Sequence, residues 1–157
     1  MTVKLSGLLL TLSLLFTAPL AVADDAPYPG TVTVPTPHAY AALIGRLEQA
    51  IAANGMGLVA RASASGGAAK RGVTIPGNEV LMVFRNDYAV RMLAASVPAG
   101  IEAPLRIYVT ENADGTANIT YRRPSAVFAP YRNKALDTMA AELDPVVAKI
   151  VAAAGGK

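Results

Sequence analysis

Two alternating runs joined by a tight turn constrain this chain more than anything else in it. From Pro104 to Glu111 apolar and polar residues take turns, with Leu105, Ile107 and Val109 on one side and Arg106, Tyr108 and Thr110 on the other. Asp114-Gly115 supplies a hairpin turn, and Ala117, Ile119 and Tyr121 then alternate against Asn118, Thr120 and Arg122. Successive strand side chains point to opposite faces, so this spacing lays one apolar face on a core and leaves the other in water. The hairpin therefore asks for an antiparallel sheet covered on one side.

The remaining segments supply the cover. Tyr40, Leu43, Ile44, Leu47 and Ile51 recur at helical spacing, and Asn54-Gly55 stops the run. Thr36-Pro37 reads as the cap and first turn of that helix, with a short strand, Thr31–Val34, before it. The tail from Asn133 to Ala154 is predicted helical, with Leu136, Met139, Ala140, Leu143, Val147, Ile150 and Val151 along one side. At Asp144-Pro145 it either kinks or restarts as a second helix capped by Asp144.

Between these, Leu58–Ala62 reads as a strand and residues 63–72 as a small-residue loop ending after Lys70-Arg71. The unbroken apolar run Val80–Phe84 reads as a strand covered on both faces or set in the middle of the sheet. A short helix is expected over Tyr88–Ala95, capped by Asn86 or Asp87 and closed by Pro98 and Gly100. The fold class is α+β, an antiparallel sheet with helices packed on one face.

Ahead of this domain, Lys4, the apolar run Leu8–Phe16, Pro19 and the step Ala21-Val22-Ala23 have the pattern of a secretory signal peptide cut after Ala23. An uncleaved anchor from Leu5 to Val22 barely reaches spanning length. The expected organisation is a leader over 1–23, an N-terminal segment with a short strand over 24–37, and one α+β domain over 38–157. The expected location is the periplasm or the exterior, with no membrane attachment after cleavage. Zero cysteines in 157 residues exclude disulfides, thiolate nucleophiles, iron–sulfur clusters and classical zinc sites, and a cysteine-less cleavage site excludes a lipid anchor. A formal charge of +3, or +2 once Lys4 is gone, makes no field strong enough to argue for nucleic acid.

No catalytic constellation stands out. His38, the lone histidine, reads as an exposed first-turn residue with no acidic neighbour to share a metal. No Gly-x-Ser-x-Gly elbow is present, and Ser65-Gly66-Gly67-Ala68-Ala69-Lys70-Arg71 lacks the spacing of a phosphate loop. Glu102 and Glu111 bracket one strand and stand roughly 30 Å apart, too far to share a substrate. Arg85, Asn86 and Asp87, just past an apolar strand, are better placed, because strand ends feed the rims where ligands bind.

From Leu43 to about Tyr131 the chain resembles the domain of unknown function 302 family. The resemblance rests on ordered landmarks: Asn54-Gly55-Met56-Gly57, Gly72-Val73-Thr74-Ile75, Val80–Phe84 followed by Asn86, Gly100-Ile101-Glu102-Ala103-Pro104-Leu105-Arg106, Glu111, Asp114-Gly115, and Tyr121 with Pro124. It implies a β-α-β(n)-α layout similar to the TATA-binding-protein-like fold, packing as a homodimer, and no settled activity; the scaffold says nothing about DNA. Family members carry an acidic residue and a histidine where Ser63-Ala64 stand here, and glycine and proline around the asparagine that is Asn86, where this chain has Arg85 and Asp87. A role resting on that acid–histidine pair does not transfer.

The functional expectation is a binding or interaction module, with Arg85, Asn86, Arg106 and Tyr121 holding a small anionic or amphipathic ligand and no cofactor. A pure interaction protein would instead present a flat sheet face with Tyr108 exposed. The alternative from another class is a cofactor-free enzyme using Glu102, Tyr121 or His38 for proton transfer.

Overall fold

The hairpin alternation is the centre of a five-stranded, wholly antiparallel sheet in the computed structural model, which describes residues 28–156. The leader and its expected cleavage after Ala23 lie outside the described residues. The strands are β1 (Thr31–Ala39), β2 (Gly57–Ala62), β3 (Asn78–Phe84), β4 (Leu105–Glu111) and β5 (Thr116–Arg122), in the spatial order β1-β5-β4-β3-β2. The helices are α1 (Tyr40–Ala53), α2 (Ala64–Ala69), α3 (Asn86–Ala95), α4 (Pro124–Phe128) and α5 (Lys134–Gly155). Among the described residues no helix is long and apolar enough to cross a membrane.

One face of the sheet makes the core. Leu81, Val83, Ile107, Val109, Ala117 and Ile119 are buried against Leu43, Leu47 and Ile51 of α1, and Leu136, Leu143, Ile150 and Val151 of α5. Each such large side chain contributes about 1.5–3 kcal/mol by leaving water. The alternate residues Val80, Met82, Arg106, Tyr108, Asn118 and Thr120 are all at least partly exposed, so the second face of the sheet is uncovered. Of the two readings of Val80–Phe84, the place inside the sheet holds and cover on both faces does not. β3 is an interior strand, between β4 and β2, but it is buried on one face only.

Three boundaries differ from the expectations. The first strand runs on through Ala39, and α1 begins at Tyr40, not at Thr36-Pro37. The Thr36 hydroxyl donates to the Ala117 carbonyl at 2.7 Å and Thr36 pairs with Ala117 in the β1–β5 ladder, so the residue is held in the sheet. Pro35 and Pro37 are tolerated because β1 is an edge strand. Residues 63–72 contain α2, whose first turn is capped by Ser63 accepting from the Gly66 amide at 3.0 Å. Finally, α3 starts at Asn86 with Arg85 as its cap residue, and Asp87 stands in the first turn, where a negative charge suits the positive helix end.

The long tail is one continuous helix with Pro145 inside it. Pro145 has no N–H for the Ala141 carbonyl, and Ala141 is exposed, so water is available to that oxygen. Asp144 does cap a helix, but it is α4: its Oδ1 accepts the Ser125 amide at 2.9 Å. The C-terminal carbonyls of α5 are met by Arg46 of α1, whose Nε donates to Ala154 at 2.6 Å and whose Nη2 donates to Gly156 at 2.6 Å and Ala153 at 3.3 Å. At Gly30, φ is +74° and a Cβ would lie 2.2 Å from that of Ala126, so only glycine lets the start of β1 meet α4.

Candidate functional site

Arg106 and Tyr108 project from β4, the central strand, onto the uncovered face, with Arg106 61% exposed at its side chain and Tyr108 40% exposed. Met82 faces Arg106 across the β3–β4 ladder, and Val80 faces Tyr108. Ile107 faces Tyr121 across β4–β5, which places Arg106 and Arg122 as the next residues along, side by side on the open face. The result is an apolar patch of Val80, Met82, Phe84 and Tyr108 with two guanidinium groups alongside it, in the row of Met82.

At those two groups lies a recess of about 70 Å³, lined by Glu102, Leu105, Arg106, Arg122 and Val127. Glu102 Oε1 accepts the Tyr131 hydroxyl at 3.1 Å, and its Oε2 lies 3.8 Å from Arg106 Nη2. Burial, with the Glu102 acceptor second, holds the Tyr131 phenol above its usual range. Arg122 has less company. Its Nη2 reaches the Ala126 carbonyl only at 3.4 Å, its guanidinium carbon stands 5.3 Å from the Tyr28 ring centre, and its Nε is buried with no acceptor among the described residues.

The other expected ligand-binding residues are elsewhere. Arg85 is paired with Asp87 through two contacts, at 2.7 and 3.0 Å, and stacks 4.2 Å from the Tyr88 ring centre. It rims a nearly wholly apolar cavity of about 30 Å³, the room of one water, beside Met56, Met92, Met139 and Phe128 on the helical side of the sheet. Asn86 opens α3 and is exposed. Tyr121 lies on the covered face, packed against the core. Arg85 and Arg106 thus line separate recesses that share only Leu105.

The residues considered for proton transfer are similarly dispersed. His38 is a half-buried residue of β1, not of a first helical turn, and its Nε2 stands 2.7 Å from the Gly156 carbonyl at the C-terminal end of α5. A buried carboxylate does exist, at Glu79, which sequence reasoning missed. Arg61 joins it to Glu48, and the Tyr40 hydroxyl donates to it at 3.4 Å. Burial is the main cause that keeps the Tyr40 phenol above its usual range. With Arg61 satisfying both carboxylates, this cluster fastens edge strand β2 to β3 and α1. Among the described residues no group of three or more acidic or histidine side chains is arranged to hold a metal.

A family model described as a domain of unknown function, DUF302, matches residues 32–154. No curated protein matches the chain. A solved structure of an uncharacterized conserved DUF302 protein from Bacillus stearothermophilus is similar, with a TM-score of 0.70 and 22% sequence identity, over 78% of this chain and 96% of that one. At that identity the likeness speaks to the fold alone.

Proposed function

We propose that this chain, which belongs to the DUF302 family, is an exported module that binds a small anionic or amphipathic ligand on the uncovered face of its sheet, at the Arg106 end. The observation that carries the reading is the one-sided cover. The buried residues of the sheet's core face belong to one apolar cluster with α1 and α5, while Val80, Met82, Phe84 and Tyr108 stay partly exposed beside a cation. Apolar surface returns about 25 cal/mol per Å² when covered, which makes such a face a place for something to bind. Export to the periplasm or the exterior is the part of this reading that the leader pattern of Lys4, Leu8–Phe16 and Ala21-Val22-Ala23 supports.

A second reading shares the same face. Tyr108, exposed at the middle of the central strand, favours a homodimer formed sheet to sheet. Native mass spectrometry of the protein purified from the periplasm tests both. The ligand reading expects a retained small molecule that the Met82→Lys variant loses, and the dimer reading expects a doubled mass that the same substitution halves. A bare monomer in both proteins would overturn the account.

A further inference from the structure

Resting on that reading, we infer that the ligand is an amphipathic carboxylic acid, its carboxylate seated between Arg106 and Arg122 and its apolar body along Met82, Phe84 and Tyr108. The head-group end is underpaired. Two guanidinium groups line the recess against one carboxylate, Glu102, and that carboxylate also accepts the Tyr131 hydroxyl. The Glu102–Arg106 distance of 3.8 Å leaves most of the Arg106 donors to water. A buried donor without an acceptor is costly, and among the described residues the Arg122 Nε has none. An oxyanion entering the recess supplies what it lacks, with the charge-assisted geometry that guanidinium groups favour.

Glu102 selects among anions. Its charge on the recess wall repels a second negative charge on the ligand, so a monoanionic carboxylate suits the site better than a phosphate dianion. The recess, about 70 Å³, has room for a head group and little else. The remainder of the ligand must therefore lie outside it. Met82 is the direct cross-strand partner of Arg106, and Phe84 and Tyr108 flank that pair on the same face. An alkyl or aromatic body extending from the carboxylate covers these side chains.

Calorimetric titration of the exported protein with octanoate, octanamide and inorganic phosphate tests the assignment. The neutral amide keeps the apolar body, and phosphate keeps only the charge. Octanoate is expected to bind about tenfold more tightly than either, and Arg106→Gln and Arg122→Gln each to weaken octanoate by about tenfold while leaving octanamide unchanged. Matching circular dichroism and melting curves establish that both variants fold. Equal affinity for octanoate and octanamide, insensitivity to both substitutions, tighter binding of phosphate, or no octanoate binding would each overturn the carboxylate assignment. A retained small molecule lost on Met82→Lys would still uphold the open-face reading in any of those cases.

Discussion

The carboxylate of Asp144, in the middle of α5, caps α4 by accepting the Ser125 amide at 2.9 Å. That one contact ties the long helix to the short one that follows β5. It also sets the wall of the arginine recess, because α4 contributes Val127 to the lining and the Ala126 carbonyl to Arg122. Replacing Asp144 by alanine removes a cap and is expected to cost about 1 kcal/mol, within the usual range of 0.5–2. Urea denaturation measures the loss, and Asp144→Asn, which retains an oxygen acceptor, should recover part of it.

Arg46 closes the other end of the same helix with three contacts to Ala153, Ala154 and Gly156. Arg46→Met keeps much of the aliphatic stem and deletes the donors. We expect a loss of about 1.5–3 kcal/mol, the range for hydrogen bonds to a charged group, with the lower end favoured by partial exposure. Faster amide exchange confined to the last turn of α5 would accompany it.

The one-sided sheet makes neighbouring residues on β5 respond oppositely. Ile119 is fully buried, so Ile119→Ala should cost about 2–5 kcal/mol. Thr120, the next residue, faces outward, where its hydroxyl stands 3.0 Å from that of Thr33, so Thr120→Ala should change stability by about 0.5 kcal/mol or less. Equal losses in chemical denaturation would show that the second face is also packed.

Acid should weaken the fold through two exposed pairs. The Arg85 guanidinium holds the Asp87 carboxyl below the usual carboxylate range, and Arg91 does the same for Glu142, which it grips at 2.7 and 2.8 Å between α3 and α5. A carboxyl lowered in the folded state stabilises it above the unfolded value and loses that effect as pH falls through the folded value. Stability should therefore hold down to about pH 4 and decline below it. The combined Asp87→Asn and Glu142→Gln variant should show a shallower decline in its urea midpoint, by a small amount because both pairs are exposed.

Much of the fold was legible because periodicity is written in the residues that make it. The alternation around Asp114-Gly115 gave the hairpin and its faces, and the three-and-four spacing of Leu43, Leu47 and Ile51 gave α1. What escaped were decisions made by partners distant in sequence. Thr36 joins the sheet because Ala117 offers a carbonyl, and Asp144 caps α4 because Ser125 is packed beside it. Neither partner is visible from the local pattern.

The candidate site was legible in part for the same reason. Arg106 could be placed on the solvated face, but joining it with Arg85, Asn86 and Tyr121 required tertiary placement that alternation does not supply. Arg122 carried a usable signal, since a hairpin that pairs Ile107 with Tyr121 must bring Arg106 and Arg122 together. Glu79 gave little sign of its burial, because a carboxylate inside a strand is tolerated only when a cation such as Arg61 reaches it.

The methionines offer the most direct test that ligands bind on the uncovered face. Met82 lies on that face, whereas Met56, Met92 and Met139 line the apolar cavity on the helical side. With methyl-labelled methionine, the account predicts that titrating octanoate shifts the Met82 resonance saturably and leaves Met56, Met92 and Met139 in place. Movement of those three with Met82 unchanged would contradict it and put the binding site at Arg85, beneath the helices.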